Sequence, residues 1–450
     1  MAGGGDNPTV QRKMNKRKCS NERGITLASN FGKVFERIIN NRITPMINMT
    51  EAQAGGQKGR ATVDHLLILK DTIQTIRNNK KPAYIAFLDV TKAYDKAWLD
   101  AIMYVMHKQG TNLNIWKLIK ELNSNLTARL KTKYGKTRVI NIKDSIRQGG
   151  VLSVIQYALL MDEINKEIIK EKIGPKIPNT DTSIGCLLWM DDVALISPDP
   201  DELQKMLNIT HEIANRYHIE FGSAKSKILK IGRGKTQPDL YLGNTKLEYT
   251  KTYKYLGETL NTKGNFDDHI PELKRKTEAA YQTILAVMGN QQFSKIELET
   301  AWKLLEACIQ PIITYGGETW KTNKREQKAL NQLQENIIRR ILMVPQTTPI
   351  ETLYIETGII DINTIAMKNR INMEQRLNKP KNHQRLTTKV MKAKIKDGWL
   401  ETTEKMKQNL NENNINKNTI NKQFKERITK QAEGKNENTI PAEQQRVDSR

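Results

Sequence analysis

Residues 185–197 read GCLLWMDDVALIS: two apolar runs around a very short polar centre, Asp191-Asp192. Strand-like runs joined by so short a break predict a β-hairpin with both carboxylates at its tip. About a hundred residues upstream, AYIAFLDV at 83–90 is apolar on both alternating faces and ends in Asp89. That pattern predicts a strand buried on both sides. Carboxylates beside apolar strands are costly unless something compensates them, and two adjacent aspartates repel each other. A divalent cation resolves both problems. Oxygen donors in this number suit magnesium, or manganese. An isolated Asp-Asp pair is ordinarily a solvated turn; apolar flanks on both sides and a second strand-end carboxylate argue for chemistry here. Two such ions a few ångströms apart activate an attacking hydroxyl and stabilise a leaving pyrophosphate, which is what a nucleotidyl transferase requires.

The bulk composition is consistent with a polyanionic partner. Lys and Arg number 73 against 49 Asp and Glu, a formal charge of +24 on 450 residues. That excess points to nucleic acid or an anionic membrane surface over a merely lysine-rich exterior. No apolar run is long enough for a transmembrane helix, and no long basic amphipathic helix with a clean apolar face stands out. Cys19, Cys186 and Cys308 are far apart, which speaks against a disulfide framework or a zinc knuckle. The start, MAGGGDNPTVQRKMNKRKCS, lacks the apolar core of a signal peptide; its basic run Arg12–Lys18 reads as a nuclear address or a solvated tail.

Working outward from the two strands, residues 27–47 read as an amphipathic helix ending near Pro45, and residues 64–77 as another, with a Gly-rich loop between them. A helix is expected over 151–170, opening just after Arg147, Gln148, Gly149 and Gly150. The best-marked helix follows the hairpin: Asp199 as N-cap, Pro200 at the first position, Glu202 completing a capping box, then Leu203, Met206, Leu207, Thr210, Ile213, Ala214 and Tyr217 on one face. Short strands are expected at 227–232 and around a Gly243-Asn244 turn. Residues 267–343 read as helical, broken near Pro311 and Gly316. Beyond about residue 380 the chain is rich in Asn, Lys and Gln, and is expected to be frayed helix or disorder.

These stretches resemble, in order and spacing, the motifs of reverse transcriptases. FLDVTKAYDKAW (87–98) is similar to the first palm motif and RQGGVLS (147–153) to the second. WMDD (189–192) resembles the aromatic-x-Asp-Asp box, FGSAKS (221–226) the motif that follows it, and YKYLG (253–257) the primer-positioning hairpin. One such match is weak evidence; five in order are strong. NERGITL (21–27), EAQAGGQKGRATVDHL (51–66), ITYGGETW (313–320) and RRILMVPQTTPIETLYIETG (339–358) look like segments of the enzymes of non-LTR (LINE-type) retrotransposons. The resemblance covers about residues 21–375.

The resemblance implies an α+β right hand: fingers, a palm with a small antiparallel sheet, and a helical thumb. It divides its span into partial fingers (21–82), palm (83–260) and a thumb-like region (261–375); composition sets apart a disordered basic leader (1–20) and a polar Lys/Asn-rich tail (376–450). The resemblance also bears on the site. It implies that Asp89, Asp191 and Asp192 hold two magnesium ions and that Lys225 protonates the leaving pyrophosphate. Lys58 and Arg60 are expected on phosphate, Tyr94 under the incoming sugar, and Arg147, Gln148 and Gly149 along the template and the new base pair. Tyr255, Leu256 and Gly257 are expected to position the primer end. Asp95 is expected to support the first motif, and Trp189 to pack under the hairpin. The implied partners are an RNA template, a DNA primer and deoxynucleoside triphosphates, and the implied compartment is the nucleus.

Several positions depart from the pattern. Gly56-Gln57 stands where Phe-Arg is usual, Val151 and Val154 where Pro is usual, and Glu22 where an aromatic is common. Together with the lack of the expected upstream finger strand, these suggest a truncated or decaying copy of a longer element. The leading expectation is an RNA-directed DNA polymerase. The competing one is a catalytically inactive remnant that still binds RNA or DNA. A maturase-like protein is a third reading, against which ITYGGETW speaks.

Overall fold

The computed structural model describes residues 29–408, apart from 125, 130, 133–134, 142–145, 148, 235 and 288–297, together with residues 426 and 428–430. The expected leader, the motif at 21–27 and Gln148 therefore lie outside the described residues.

In chain order the main elements are α1 (Asn30–Ile43), α2 (Thr62–Asn78), β1 (Ala83–Asp89), α3 (Leu99–Lys108), α4 (Leu113–Asn123) and α5 (Val151–Lys170). The hairpin β2 (Cys186–Trp189) and β3 (Asp192–Ser197) comes next, then α6 (Pro200–Arg216), β4 (Lys227–Ile231) and β5 (Glu248–Thr250). A second hairpin, β6 (Thr252–Tyr255) and β7 (Glu258–Asn261), leads into the helices. These include α7 (His269–Val287), α8 (Lys324–Leu342), α9 (Ile362–Leu377), α10 (Leu386–Lys392) and α11 (Trp399–Gln408).

Five strands form one sheet in the order β5-β4-β1-β3-β2. All neighbours are antiparallel except β5 and β4. β1 is central, and Ala83 to Leu88 are all buried, as a strand covered on both faces must be. The face carrying Ile85 and Phe87 packs with Leu187, Ala194, Ile196, Leu229 and Ile231 against Leu66, Leu67, Ile68 and Leu69 of α2. A second apolar cluster is built from α7, α8 and the segments between, around Leu273, Ile313, Trp320, Leu330 and Ile338.

The chain divides into two compact units. The first comprises the chain up to Met49, Val90–Glu163 and Ile213–Glu220; the second comprises Thr50–Asp89, Ile164–Glu212 and the chain from Phe221. In the first, Trp116 donates from Nε1 to the Met103 carbonyl at 2.7 Å and ties α4 to α3. The second holds the sheet and both apolar clusters.

Helix α6 forms where its capping signals place it, and all seven residues of its expected face are buried. Asp199 caps it by accepting from Asp201 N–H at 2.9 Å. Glu202 accepts from the Ser197 hydroxyl at 2.7 Å, and it is that hydroxyl that takes the Asp199 N–H at 3.0 Å. The box is thus closed through Ser197 rather than directly.

The expectation of fraying beyond about residue 380 is corrected for the described residues up to 408. α10 and α11 are packed on α2 and the sheet through Leu386, Val390, Met391, Ile395 and Trp399. Arg370, 2% exposed, ties α9 to α11: it donates to the carbonyls of Trp320 and Trp399 and to the hydroxyls of Thr402 and Thr403. Asp71 on α2 accepts the Trp399 N–H at 3.0 Å and pairs with Lys321 at 3.1 Å. The Asn- and Lys-rich composition of the whole tail conceals the two short core-facing helices within it. Residues 409–425 and 431–450 lie outside the described residues.

Candidate active site

Strand register brings the carboxylates together. Asp89, the last residue of β1, is directly opposite Asp192, the first residue of β3. Directly opposed residues on antiparallel neighbours put their Cβ atoms about 5 Å apart on one face. Met190 and Asp191 make the two-residue loop between Trp189 and Asp192. Asp191 therefore sits in the turn, and Asp192 begins the returning strand. Met190 has φ 59°, a left-handed conformation that a hairpin loop usually assigns to Gly.

The electrostatics follow from that crowding. Burial, then the charges of Asp191 and Asp89, push the Asp192 carboxyl up to about 6, with Lys225 opposing them. Lys225 reaches Asp89 at 3.3 Å. It is delivered there by the loop 221–226, which hangs on the end of β1. The Gly222 N–H donates to the Asp89 carbonyl at 2.8 Å, and the Ser226 hydroxyl accepts the Asp89 N–H at 3.2 Å. The FGSAKS motif is thus a clasp on the strand that carries the first carboxylate.

Two residues before Asp89, on the same face of β1, Phe87 stacks on Tyr253 with centroids 4.2 Å apart and lies 5.1 Å from Tyr255. Burial and the nearby Asp192 and Asp89 charges push the Tyr253 phenol up to about 12, and burial with the Asp192 charge pushes the fully buried Tyr255 well above its usual range. The β6–β7 turn follows, with Leu256 at φ 44° and Gly257 at φ 89°. Tyr315, from the ITYGGETW stretch, donates its hydroxyl to the Leu256 carbonyl at 2.8 Å. A Cβ on Gly257 would lie 2.6 Å from that ring. Below the turn, buried Glu258 pairs with Lys70 at 2.6 Å.

The finger loop is held from behind. Arg60 is paired with Glu51 at 2.6 Å, with only 8% of its side chain exposed. Glu51 also accepts the Leu386 N–H at 3.0 Å, and Arg385 donates to the Gly59 carbonyl at 2.6 Å. Lys58 is exposed.

The remaining expected contacts belong to the first unit. Tyr94 stacks on Tyr157, centroids 5.2 Å apart. Arg147 pairs at 2.6 Å with Glu36, which is buried. Glu36 also accepts the N–H groups of Val151 at 2.6 Å and Leu152 at 3.3 Å, so it serves as the anionic cap of α5. Sequence reasoning missed it. The available signal was position: Glu36, Ile39 and Ile43 share the buried stripe of α1. Gly149 has φ 105°, a conformation that only Gly adopts freely.

Among the described residues no three Asp, Glu, His or Cys side chains are already gathered as a cation cage. The donor set nonetheless fits a hard divalent cation. It is all oxygen, it lies at the end of a buried strand, and burial together with the Asp191 and Asp89 charges raises the proton affinity of Asp192.

A family profile described as reverse transcriptase (RNA-dependent DNA polymerase) matches residues 12–260, more than half of the chain. The chain is similar to the RNA-directed DNA polymerase from mobile element jockey of Drosophila melanogaster, 22% identical over 337 residues, covering 72% of this chain and 36% of that protein. It is similar at 22% identity to the Pol polyprotein from the type-1 retrotransposable element R2 of Popillia japonica, covering 74% of this chain and 47% of that one. The chain thus spans less than half the length of these relatives. Among solved structures, telomerase from Candida tropicalis with a TWJ fragment of telomeric RNA aligns at 15% identity and TM-score 0.38, over 80% of this chain and 56% of that one. That superposition is loose, and the assignment rests on the sequence match: the chain belongs to the reverse transcriptase family, with the enzymes of non-LTR retrotransposons as its relatives.

Proposed function

We propose that the chain is an RNA-directed DNA polymerase of a non-LTR retrotransposon, extending a DNA primer on an RNA template with deoxynucleoside triphosphates. The observation that carries this reading is the register that sets Asp89 against Asp192, with Asp191 in the adjoining turn. These three would hold two magnesium ions, or manganese, which when bound would acidify the primer 3′-hydroxyl and offset charge on the pyrophosphate. Lys225, now on Asp89, would donate its Nζ proton to the leaving pyrophosphate. Tyr255, Leu256 and Gly257 would hold the primer end, because their turn is fixed against Tyr315. Tyr94 would lie under the sugar, Arg147, Gln148 and Gly149 would follow the template, and Lys58 and Arg60 would meet phosphate. We read residues 21–82 as fingers, 83–260 as palm and 261–375 as thumb, and propose nuclear localisation, to be checked by imaging the tagged protein.

A second reading has an observation in its favour. Arg60 and Arg147, two cations assigned to nucleic acid, are already neutralised by Glu51 and Glu36. A remnant that binds RNA or DNA without extending it would look like this. Incorporation of labelled deoxynucleotide on an RNA template with magnesium, measured beside duplex binding across salt concentrations, separates the two. Salt-sensitive binding with incorporation supports the polymerase, and binding with none supports the remnant.

A further inference from the structure

Strand β2 lies at the edge of the sheet, and residues 52–54 pair with it in parallel. The Leu188 N–H donates to the Ala52 carbonyl at 2.9 Å, and the Ala54 N–H to the Leu188 carbonyl at 3.0 Å. Between them Gln53 is 0% exposed. Its Oε1 accepts the Gly55 N–H at 3.0 Å and the Met190 N–H at 3.3 Å. Met190 is the residue at φ 59° that immediately precedes Asp191.

Gly55 completes the contact. A Cβ there would fall 2.4 Å from the Met190 nitrogen and 2.6 Å from its Cγ, so only Gly lets the two backbones approach this closely. The His65 ring meets Trp189 edge-on, with centroids 5.6 Å apart. Both residues before the Asp191-Asp192 pair are therefore held from outside the hairpin, by the segment 53–65. A two-residue loop with Met at positive φ is not what the hairpin would choose unaided. A buried side-chain acceptor that takes the N–H of that residue supplies the missing restraint.

We propose that Gln53 is a positioning residue: its buried amide oxygen fixes the Met190 turn, and so the angle at which the hairpin presents Asp191 and Asp192, with Gly55 supplying the clearance. The kinetic consequence rests on the polymerase reading; the structural one does not. Gln53→Met keeps the length and loses the acceptor, whereas Gln53→Glu keeps an acceptor in place. Misplacement of a reacting group by about 1 Å costs on the order of 10²-fold in rate.

The test combines hydrogen exchange over residues 186–197 with kcat and KM for primer extension. In Gln53→Met we expect faster exchange in the hairpin but not in α8, kcat lowered about 10²-fold and an unchanged KM for deoxynucleotide. Gln53→Glu is expected to recover most of both losses. Gly55→Ala, which leaves Gln53 intact but pushes on the turn, is expected to repeat the Gln53→Met result and stands in for it if that variant does not fold. Native hairpin exchange and native kcat in a folded Gln53→Met or Gly55→Ala overturn the proposal. So does an equal loss in Gln53→Met and Gln53→Glu. If the native protein incorporates no nucleotide, the polymerase reading fails, and hairpin exchange alone still decides the clamp.

Discussion

Replacing Trp399 by Ala tests whether the helices after residue 380 belong to the core. Trp399 is 1% exposed. Its Nε1 donates to the Glu318 carbonyl at 2.6 Å, and the Arg370 guanidinium lies 4.8 Å from its ring centroid. A buried Trp removes roughly 200 Å² from water, which at about 25 cal/mol per Å² is about 5 kcal/mol. Alanine retains part of that area, but the cavity left behind and the unpaired Glu318 carbonyl add to the loss. The net expectation is about 4 kcal/mol of destabilisation in the transition that unfolds the sheet. Trp399→Phe, which keeps most of the apolar surface, should lose about half as much. Urea unfolding followed by far-UV circular dichroism reads this without depending on the deleted fluorophore. A loss below about 1 kcal/mol would mean that α10 and α11 do not close the core, and the packing described around Arg370 and Asp71 would be refuted.

Other consequences are equally specific. Glu36→Ala strips α5 of its anionic cap and leaves Arg147 without its partner; we expect about 2–4 kcal/mol lost from the first unit by thermal melting, with Glu36→Gln losing less. Gly257→Ala forces a side chain into positive φ and onto the Tyr315 ring; it should cost about 1–3 kcal/mol and impair primer extension, with Tyr315→Ala relieving part of the defect. Burial pushes His65 down to about 3 and His269 down to about 4, and both are neutral when folded. Below the ordinary histidine value of about 6.5 the unfolded chain binds the extra protons, so stability is complete above that pH and declines as pH falls toward 4. Urea midpoints at several pH values check this, and His65→Leu should flatten the decline. A midpoint that rises on acidification would contradict it.

Much of the sheet was legible because it is written locally. AYIAFLDV is apolar on both faces, and its strand is buried on both. GCLLWMDDVALIS announces two strands and their turn, and α6 carries its own cap. What stayed hidden depends on partners distant in sequence. Glu36 acts on α5 from more than a hundred residues away, and Gln53 acts on Met190 across a similar gap. Neither side chain advertises burial. The helices α10 and α11 were lost to averaging, since the Asn and Lys of the whole tail outweigh Leu386, Val390, Met391 and Trp399. The site divides in the same way. Asp89 and Asp192 follow from strand ends and Asp191 from the turn between two apolar runs, whereas the pairing of Arg60 with Glu51, which bears on whether Arg60 is available to phosphate, has no local signature.

The central claim is that the carboxylates on β1 and at the β2–β3 turn carry nucleotidyl transfer. Primer extension on an RNA template with deoxynucleotides and magnesium, run for the native chain and for the double Asp191→Asn, Asp192→Asn variant, tests it most directly. The account predicts extension by the native chain and none by the variant, with duplex binding retained in both. Equal extension by the two would contradict it, and so would binding without extension by the native chain.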